Sequence, residues 1–325
     1  MTALLEIQDL SLDFETEDGT AKVLDRVSLT IDEGEAFGLV GETGCGKTVT
    51  ALSILRLLPG TARIRGGAVR LAGEDLLAKS EEEMNRRIRG RWVSMIFQDP
   101  ATSLNPLYTA GYQVADVIME HEGLTREEAD RRVLGLFRQV GLPDPERIAR
   151  SYPHELSGGM QQRVMVSMAL ACQPKLLIAD EPTTAVDVTI QAQILELLRG
   201  LKQDLGLSIL LITHNLGIVA ELCDRVGIMY AGTVAEVAPV RELFRAPKHP
   251  YTQALLRALP RTDARGHALE AIGGMVPSLY TPPPGCRYHP RCEFAMATCA
   301  HRRPALLEHA AGHLTSCLLY EGVTE

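Results

Sequence analysis

The sequence predicts an α/β fold in which a mostly parallel sheet surrounds a phosphate-cradling loop. An N-terminal antiparallel β layer, a helical subdomain and a small cysteine-containing C-terminal extension complete it. Three observations carry this prediction. The stretch Gly41-Glu-Thr-Gly-Cys-Gly-Lys-Thr48 fits G-x-x-x-x-G-K-[ST], with an apolar run, Ala36–Val40, before it and a helical pattern after it. Two more apolar runs, Leu176–Ala179 and Ser208–Thr213, alternate with helix-period segments, as the strands of a parallel sheet do. Beyond about Arg245 prolines and turn residues thicken, which marks a boundary and divides the 325 residues into 1–245 and 246–325.

Taken in order, Leu4–Leu10 alternates apolar and polar residues like a half-exposed strand. Glu17-Asp-Gly19 signals a hairpin turn, and Val27–Ile31 reads as the returning strand. Phe14 in this layer is either an adenine-stacking ring or a structural aromatic. In the loop, Gly41, Gly44 and Gly46 let the backbone turn and aim N–H groups at phosphate oxygens, and the helix beginning near Gly46 adds its positive dipole end. Lys47 is placed to reach the β- and γ-phosphates and the Thr48 hydroxyl to hold Mg²⁺. Glu42, Thr43, Cys45 and Val49 complete the phosphate-binding stretch. Cys45, a thiol near a helix N-terminus, is a candidate for unusual reactivity. Leu52, Leu55 and Leu58 continue the helix pattern, with Pro59-Gly60 as its stop.

Val69–Leu71 after Gly66-Gly67 suggests a short strand, and Glu81–Arg91 a solvated helical face. Trp92–Phe97 is a buried-strand candidate ending at Gln98. From Tyr112 to Arg150 the pattern is helical and charged, broken at Gly141-Leu-Pro143, which places a helical subdomain at about 101–170. In Leu156-Ser-Gly-Gly-Met-Gln-Gln-Arg163, Ser157 is a natural N-cap, and Gly158 and Gly159 let an anion approach the helix start. The run Leu176–Ala179 ends in Asp180 and Glu181. A carboxylate at a strand end beside a phosphate loop suits Mg²⁺, and a second suits positioning of water. Asp187–Leu205 is amphipathic, with Ile190, Ile194, Leu197, Leu198 and Leu201 on one face. Ser208–Thr213 ends at His214; a lone histidine there is more often structural than functional. Val226–Tyr230 and Thr233–Val237 flank Ala231-Gly232 as a closing hairpin.

Composition excludes some classes. A formal net charge of −8 argues against a general nucleic-acid binder. No signal peptide opens the chain, and no apolar run approaches the roughly 18 residues that span a bilayer, so the expectation is a cytosolic chain or one bound to a membrane through other chains. Seven cysteines in such a compartment are expected to be reduced, so a cluster of them suggests metal before disulfide.

Gly41–Thr48, Gln98, Leu156–Gln162, Ile178–Pro182, Thr184–Asp187 and His214 together resemble the ATP-binding-cassette (ABC) ATPases, specifically the D-type ATPase subunit of bacterial oligopeptide/dipeptide importers. By this resemblance they are the Walker A loop, Q-loop, signature motif, Walker B with its catalytic Glu, D-loop and H-loop of a P-loop NTPase core. His249-Pro-Tyr-Thr-Gln-Ala-Leu-Leu256 and the Pro/Cys region resemble the extension of the peptide and nickel importer ATPases. Val186 and Asn215 depart from the commoner Leu and Asp. The resemblance implies ATP and Mg²⁺ as ligands. Thr48, Gln98 and Asp180 would organise the metal, Glu181 would polarise the attacking water, and His214 would contact the γ-phosphate. Ser157–Gly159 would cap the nucleotide of a second ATPase subunit in a head-to-tail heterodimer. Two permease subunits, and indirectly an external peptide-binding protein, would be its partners at the cytoplasmic face of the inner membrane. A nickel or other small-solute importer ATPase is the alternative. A soluble repair or translation cassette lacks support, since neither a long coiled-coil insertion nor a second cassette is present.

Cys286, Cys292, Cys299 and Cys317 are spaced C-x5-C-x6-C-x17-C, without the C-x2–4-C knuckles that zinc prefers. Spacing alone leaves a metal site and plain structural thiols both open. The family resemblance implies a 4Fe–4S cluster on these four, in a subdomain folded outside the ATPase core.

Overall fold

The computed structural model describes residues 3–183, 187–259 and 272–321, which fall into two compact units. Among the described residues, the first consists mainly of 78–183 and 187–213 with 31–36; the second comprises 4–30, 37–77, 214–259 and 272–321.

In the first unit the strands Val93–Ile96, Leu176–Asp180 and Ser208–Thr213 run parallel, with Ile96 opposite Ala179 and Asp180 opposite Ile212. Every residue of the last two strands is buried. That is why they read as unbroken apolar runs: parallel strands are covered on both faces. The helical stretch is divided once more than the sequence suggested. Ala110–Glu122 stops at Gly123, φ 70°, and Arg126–Gln139 restarts from Thr125, whose capping box with Glu128 supplies a fresh N-terminus. Pro145–Arg150 and Gly158–Leu170 follow. Glu81–Glu83 is a single helical turn capped by Ser80, and the π-helical Met84–Ile88 after it buries Met84 and Ile88, so this stretch is only partly a solvated face. Val188–Leu205 buries Ile194, Leu195, Leu198 and Leu201; Leu195 occupies the core in place of Ile190 and Leu197, which are half-buried.

In the second unit, Gly19–Asp32, Ala3–Thr16, Ala62–Leu71 and Glu74–Asp75 form an antiparallel sheet in that order. The strands are longer than the alternation predicted, 14 residues in each of the first two. Ala36–Val40 pairs in parallel with Arg225–Tyr230, which pairs with Thr233–Pro239 through the expected turn at Ala231 and Gly232. The extension then does something its composition did not announce. Its strands His313–Thr315 and Leu307–Ala310 continue this sheet, with Thr315 opposite Glu236. It is therefore not folded apart: two short strands, too short to bury a face alone, take their partner from the hairpin. The helix Lys47–Leu55 ends at Arg56, φ 52°, before the predicted Pro59-Gly60 stop.

A candidate nucleotide site and a cysteine-lined cavity

The phosphate loop leaves the fully buried strand Ala36–Val40. A Cβ at Gly41 would stand 2.2 Å from the Met229 carbonyl oxygen, so only glycine passes there. Gly46, φ +104°, opens the helix Lys47–Leu55, and Thr50 Oγ1 donates to its carbonyl at 2.9 Å. The first turn of that helix carries no acidic residue, which leaves its positive end for an anion. Thr43, Gly44 and Thr48 are exposed, Glu42 and Val49 half-buried, and Cys45, Gly46 and Lys47 buried. The Lys47 ammonium donates to the Gly41 carbonyl at 2.8 Å and the Glu42 carbonyl at 3.2 Å, so the loop's own backbone positions it. Cys45 corrects the reactivity expectation: it is 1% exposed, and burial pushes its thiol up despite Lys47 nearby.

In the first unit the parallel register brings Gln98 and Glu181 together. Gln98 follows the strand Val93–Ile96, and its Nε2 donates to Glu181 Oε2 at 3.0 Å. Asp180 is the buried last residue of its strand. Glu181 adopts φ 45°, a left-handed conformation costly for a side chain of this kind, and its N–H donates to the Ile212 carbonyl at 2.8 Å. The chain turns sharply there and presents both carboxylates at the strand end. Ser157 caps Gly158–Leu170 by accepting from Met160 N at 3.4 Å; Ser157 and Gly158 are exposed, and a Cβ on Gly159 would press on Ile190 at 3.1 Å. Asp187 caps Val188–Leu205 through Ile190 N at 2.9 Å, while Thr184 and Val186 lie outside the described residues.

His214, in the second unit, is exposed, and Asn215 after it caps the helix Leu216–Leu222 through Gly217 N at 2.9 Å. Asn and Asp cap about equally well, so the cap is kept where Asp is commoner. Phe14 is half-buried opposite Ala62. Sequence reasoning missed the residues that hold Glu42, Tyr251 and Arg291, and Tyr230, which accepts from Arg291. Tyr251 and Tyr230 lie in the stretches His249–Leu256 and Val226–Tyr230, but nothing in spacing tied any of the three to the loop.

The profile of the ABC transporter family matches residues 24–184, and that of the oligopeptide/dipeptide transporter C-terminal region matches 235–299. A probable peptide ABC transporter ATP-binding protein, y4tR of Sinorhizobium fredii, is 50% identical over 97% of this chain and 94% of its own length. The chain belongs to the ABC transporter ATPases. The dipeptide transport ATP-binding protein DppD of Escherichia coli is 47% identical over 97% of this chain and 96% of its own. Among solved structures, the dimeric ATP-binding cassette MJ0796 bound to ADP and phosphate superposes with a TM-score of 0.65 at 27% identity, over 73% of this chain and 99% of that one. ATP hydrolysis coupled to transport is the family's activity, and ATP with Mg²⁺ is what an ABC ATPase of this kind uses.

The four extension cysteines converge. Cys286, Cys292, Cys299 and Cys317 line one small cavity with Tyr288 and His249, and none is in a disulfide. Burial pushes the thiols of Cys286 and Cys292 up, and that of Cys317 to about 11. Among the described residues, no three His, Cys, Asp or Glu side chains stand in a metal-holding arrangement. The donor set, four thiols on one apolar cavity, nonetheless has the chemistry of a Cys₄ centre.

Proposed function

We propose that this ABC ATPase powers uptake of di- and oligopeptides through a membrane permease. The observation that supports it best is similarity along 97% of the chain, extension included, to ATPases named for peptide and dipeptide transport. No matching name favours the nickel alternative among these relatives. In this reading the Gly41–Val49 loop holds the phosphates, with Lys47 at the β- and γ-phosphates. Thr48, Asp180 and Gln98 would hold Mg²⁺, which would supply charge neutralisation at the phosphates. Glu181 would polarise the attacking water by accepting from it, and His214 would contact the γ-phosphate. Phosphoryl transfer asks mainly for such positioning and charge compensation. Phe14 would stack on adenine.

Ser157–Gly159 would cap the nucleotide of a second, non-identical cassette, so the isolated chain should turn over slowly. Two permease subunits would hold the pair at the inner face of the membrane, with an external binding protein delivering peptide. The test is reconstitution of this chain with its partner cassette and permeases in proteoliposomes. ATP-dependent uptake of labelled peptide is expected; ATP-dependent nickel uptake without peptide uptake would overturn the assignment of cargo.

Cys286, Cys292, Cys299 and Cys317 would hold one 4Fe–4S cluster as a structural staple for a core-poor extension. Protein purified without oxygen should be brown, with a broad absorbance near about 400 nm and roughly four irons per chain. Stoichiometric zinc without iron would reject the cluster.

A further inference from the structure

Glu42 places a carboxylate one residue into a loop that receives a polyanion. Its neighbours answer that charge. Arg291 Nη1 donates to both Glu42 oxygens at 3.1 Å, and the Arg291 side chain is only 5% exposed. The same nitrogen donates to Tyr230 Oη at 3.2 Å, Nε to the Gly273 carbonyl at 2.8 Å, and Nη2 to the Ile272 carbonyl at 3.2 Å. A guanidinium bonded along every edge has one position. Glu42 is also held by its backbone: its N–H donates to Tyr251 Oη at 3.2 Å. Tyr251 packs against Tyr230 and Tyr288, with ring centroids 4.6 and 5.3 Å away. The C-terminal extension thus grips the phosphate loop at one residue, by charge on one side and by packing on the other.

We propose that Arg291 is a positioning residue for nucleotide binding. It neutralises and orients Glu42, so that the loop meets phosphate without an opposing carboxylate. The proposal rests on the reading of Gly41–Thr48 as the phosphate site. A buried cation paired with a loop carboxylate is a charge-assisted contact of the stronger kind, and removing the cation leaves the carboxylate facing the nucleotide's negative charge.

The test measures the affinity of the full-length chain for a fluorescent ATP analogue with Mg²⁺, alongside thermal unfolding. Arg291→Met is expected to weaken binding about tenfold, and Arg291→Lys, which keeps the charge, no more than about threefold. Glu42→Gln leaves the cation uncompensated and should tighten binding severalfold. The double variant Arg291→Met/Glu42→Gln should recover most of the loss, and the penalty of Arg291→Met should shrink as salt rises. A purely structural contact would give a different pattern, with all changes lowering the unfolding temperature and none rescuing another. Wild-type affinity in Arg291→Met, or failure of Glu42→Gln to rescue it, would overturn the proposal. If Arg291→Met folds poorly, Arg291→Gln takes its place with the same expectations. Equal affinity in Lys47→Ala and wild type would instead remove the phosphate-site reading, and this inference with it.

Discussion

Replacing Glu181 with Gln is expected to cut ATP turnover of the assembled transporter by roughly a hundredfold to ten-thousandfold, the range a positioned general base contributes. Binding should survive. The amide has the shape of the carboxylate and keeps the contact with Gln98, now 3.0 Å from Glu181 Oε2, while Lys47 and the loop N–H groups are untouched. What the amide lacks is basicity. Glu181 pays for its place with a left-handed backbone, φ 45°, and the strand-end turn it makes aims a carboxylate outward beside the buried Asp180. With chemistry blocked and binding intact, the two-cassette assembly should accumulate in its ATP-bound closed form, seen as a stable dimer on size exclusion in the presence of ATP. Lys47→Ala should separate cleanly from it by raising the dissociation constant for ATP. Phosphate release at the wild-type rate by the Gln variant would strip Glu181 of its assigned role.

The parts of this site that were legible are those whose signal is local. Gly46 sits at φ +104° where the loop enters its helix, a constraint fixed by adjacent residues, and the glycine spacing around it is readable for that reason; the 2.2 Å approach of Met229 that also demands Gly41 comes from a strand 188 residues away. Ser157, read as an N-cap, caps its helix through the N–H three residues on, so that role is written in adjacent sequence. The strands Leu176–Asp180 and Ser208–Thr213 stood out because full burial demands unbroken apolar runs. The contacts that were not legible are long-range. Gln98 and Glu181 are 83 residues apart and meet only through the parallel register that sets Ile96 opposite Ala179. Arg291 and Glu42 are 249 apart. Burial of Cys45 is likewise a property of packing, and it reversed the reactivity that its position at a helix start suggested.

The largest stability effect is expected at Glu236, whose carboxylate is 0% exposed on the strand Thr233–Pro239. It accepts from Lys248 N at 2.7 Å, His249 N at 2.9 Å and His313 Nε2 at 2.6 Å, so one side chain ties the hairpin to the turn before the helix Pro250–Arg257 and to the strand His313–Thr315. Burial raises its pKa and these donors lower it; the donors prevail and hold the carboxyl below its usual range. Glu236→Ala strands these donors in the core and should cost about 3–5 kcal/mol, lowering the unfolding temperature by roughly 10 °C. Acid should act on the same spot. Glu236, with its pKa lowered on folding, contributes stability above the unfolded carboxylate pKa and loses it as pH falls through the folded one. His249 is 3% exposed, and burial lowers its pKa from 6.5 to about 4, against the pull of Glu236. The unfolded chain therefore takes up a proton near pH 6.5 that the folded chain refuses until about pH 4, and stability falls across that window by up to about 1.4 kcal/mol per pH unit. Calorimetric unfolding temperatures measured from pH 7 to pH 4 should decline. In His249→Asn, which can still cap the helix as the His249 ring does for Tyr251 N at 3.0 Å, the decline between pH 6.5 and 4.5 should flatten. An unchanged slope in that variant would place the acid sensitivity elsewhere than on the buried imidazole.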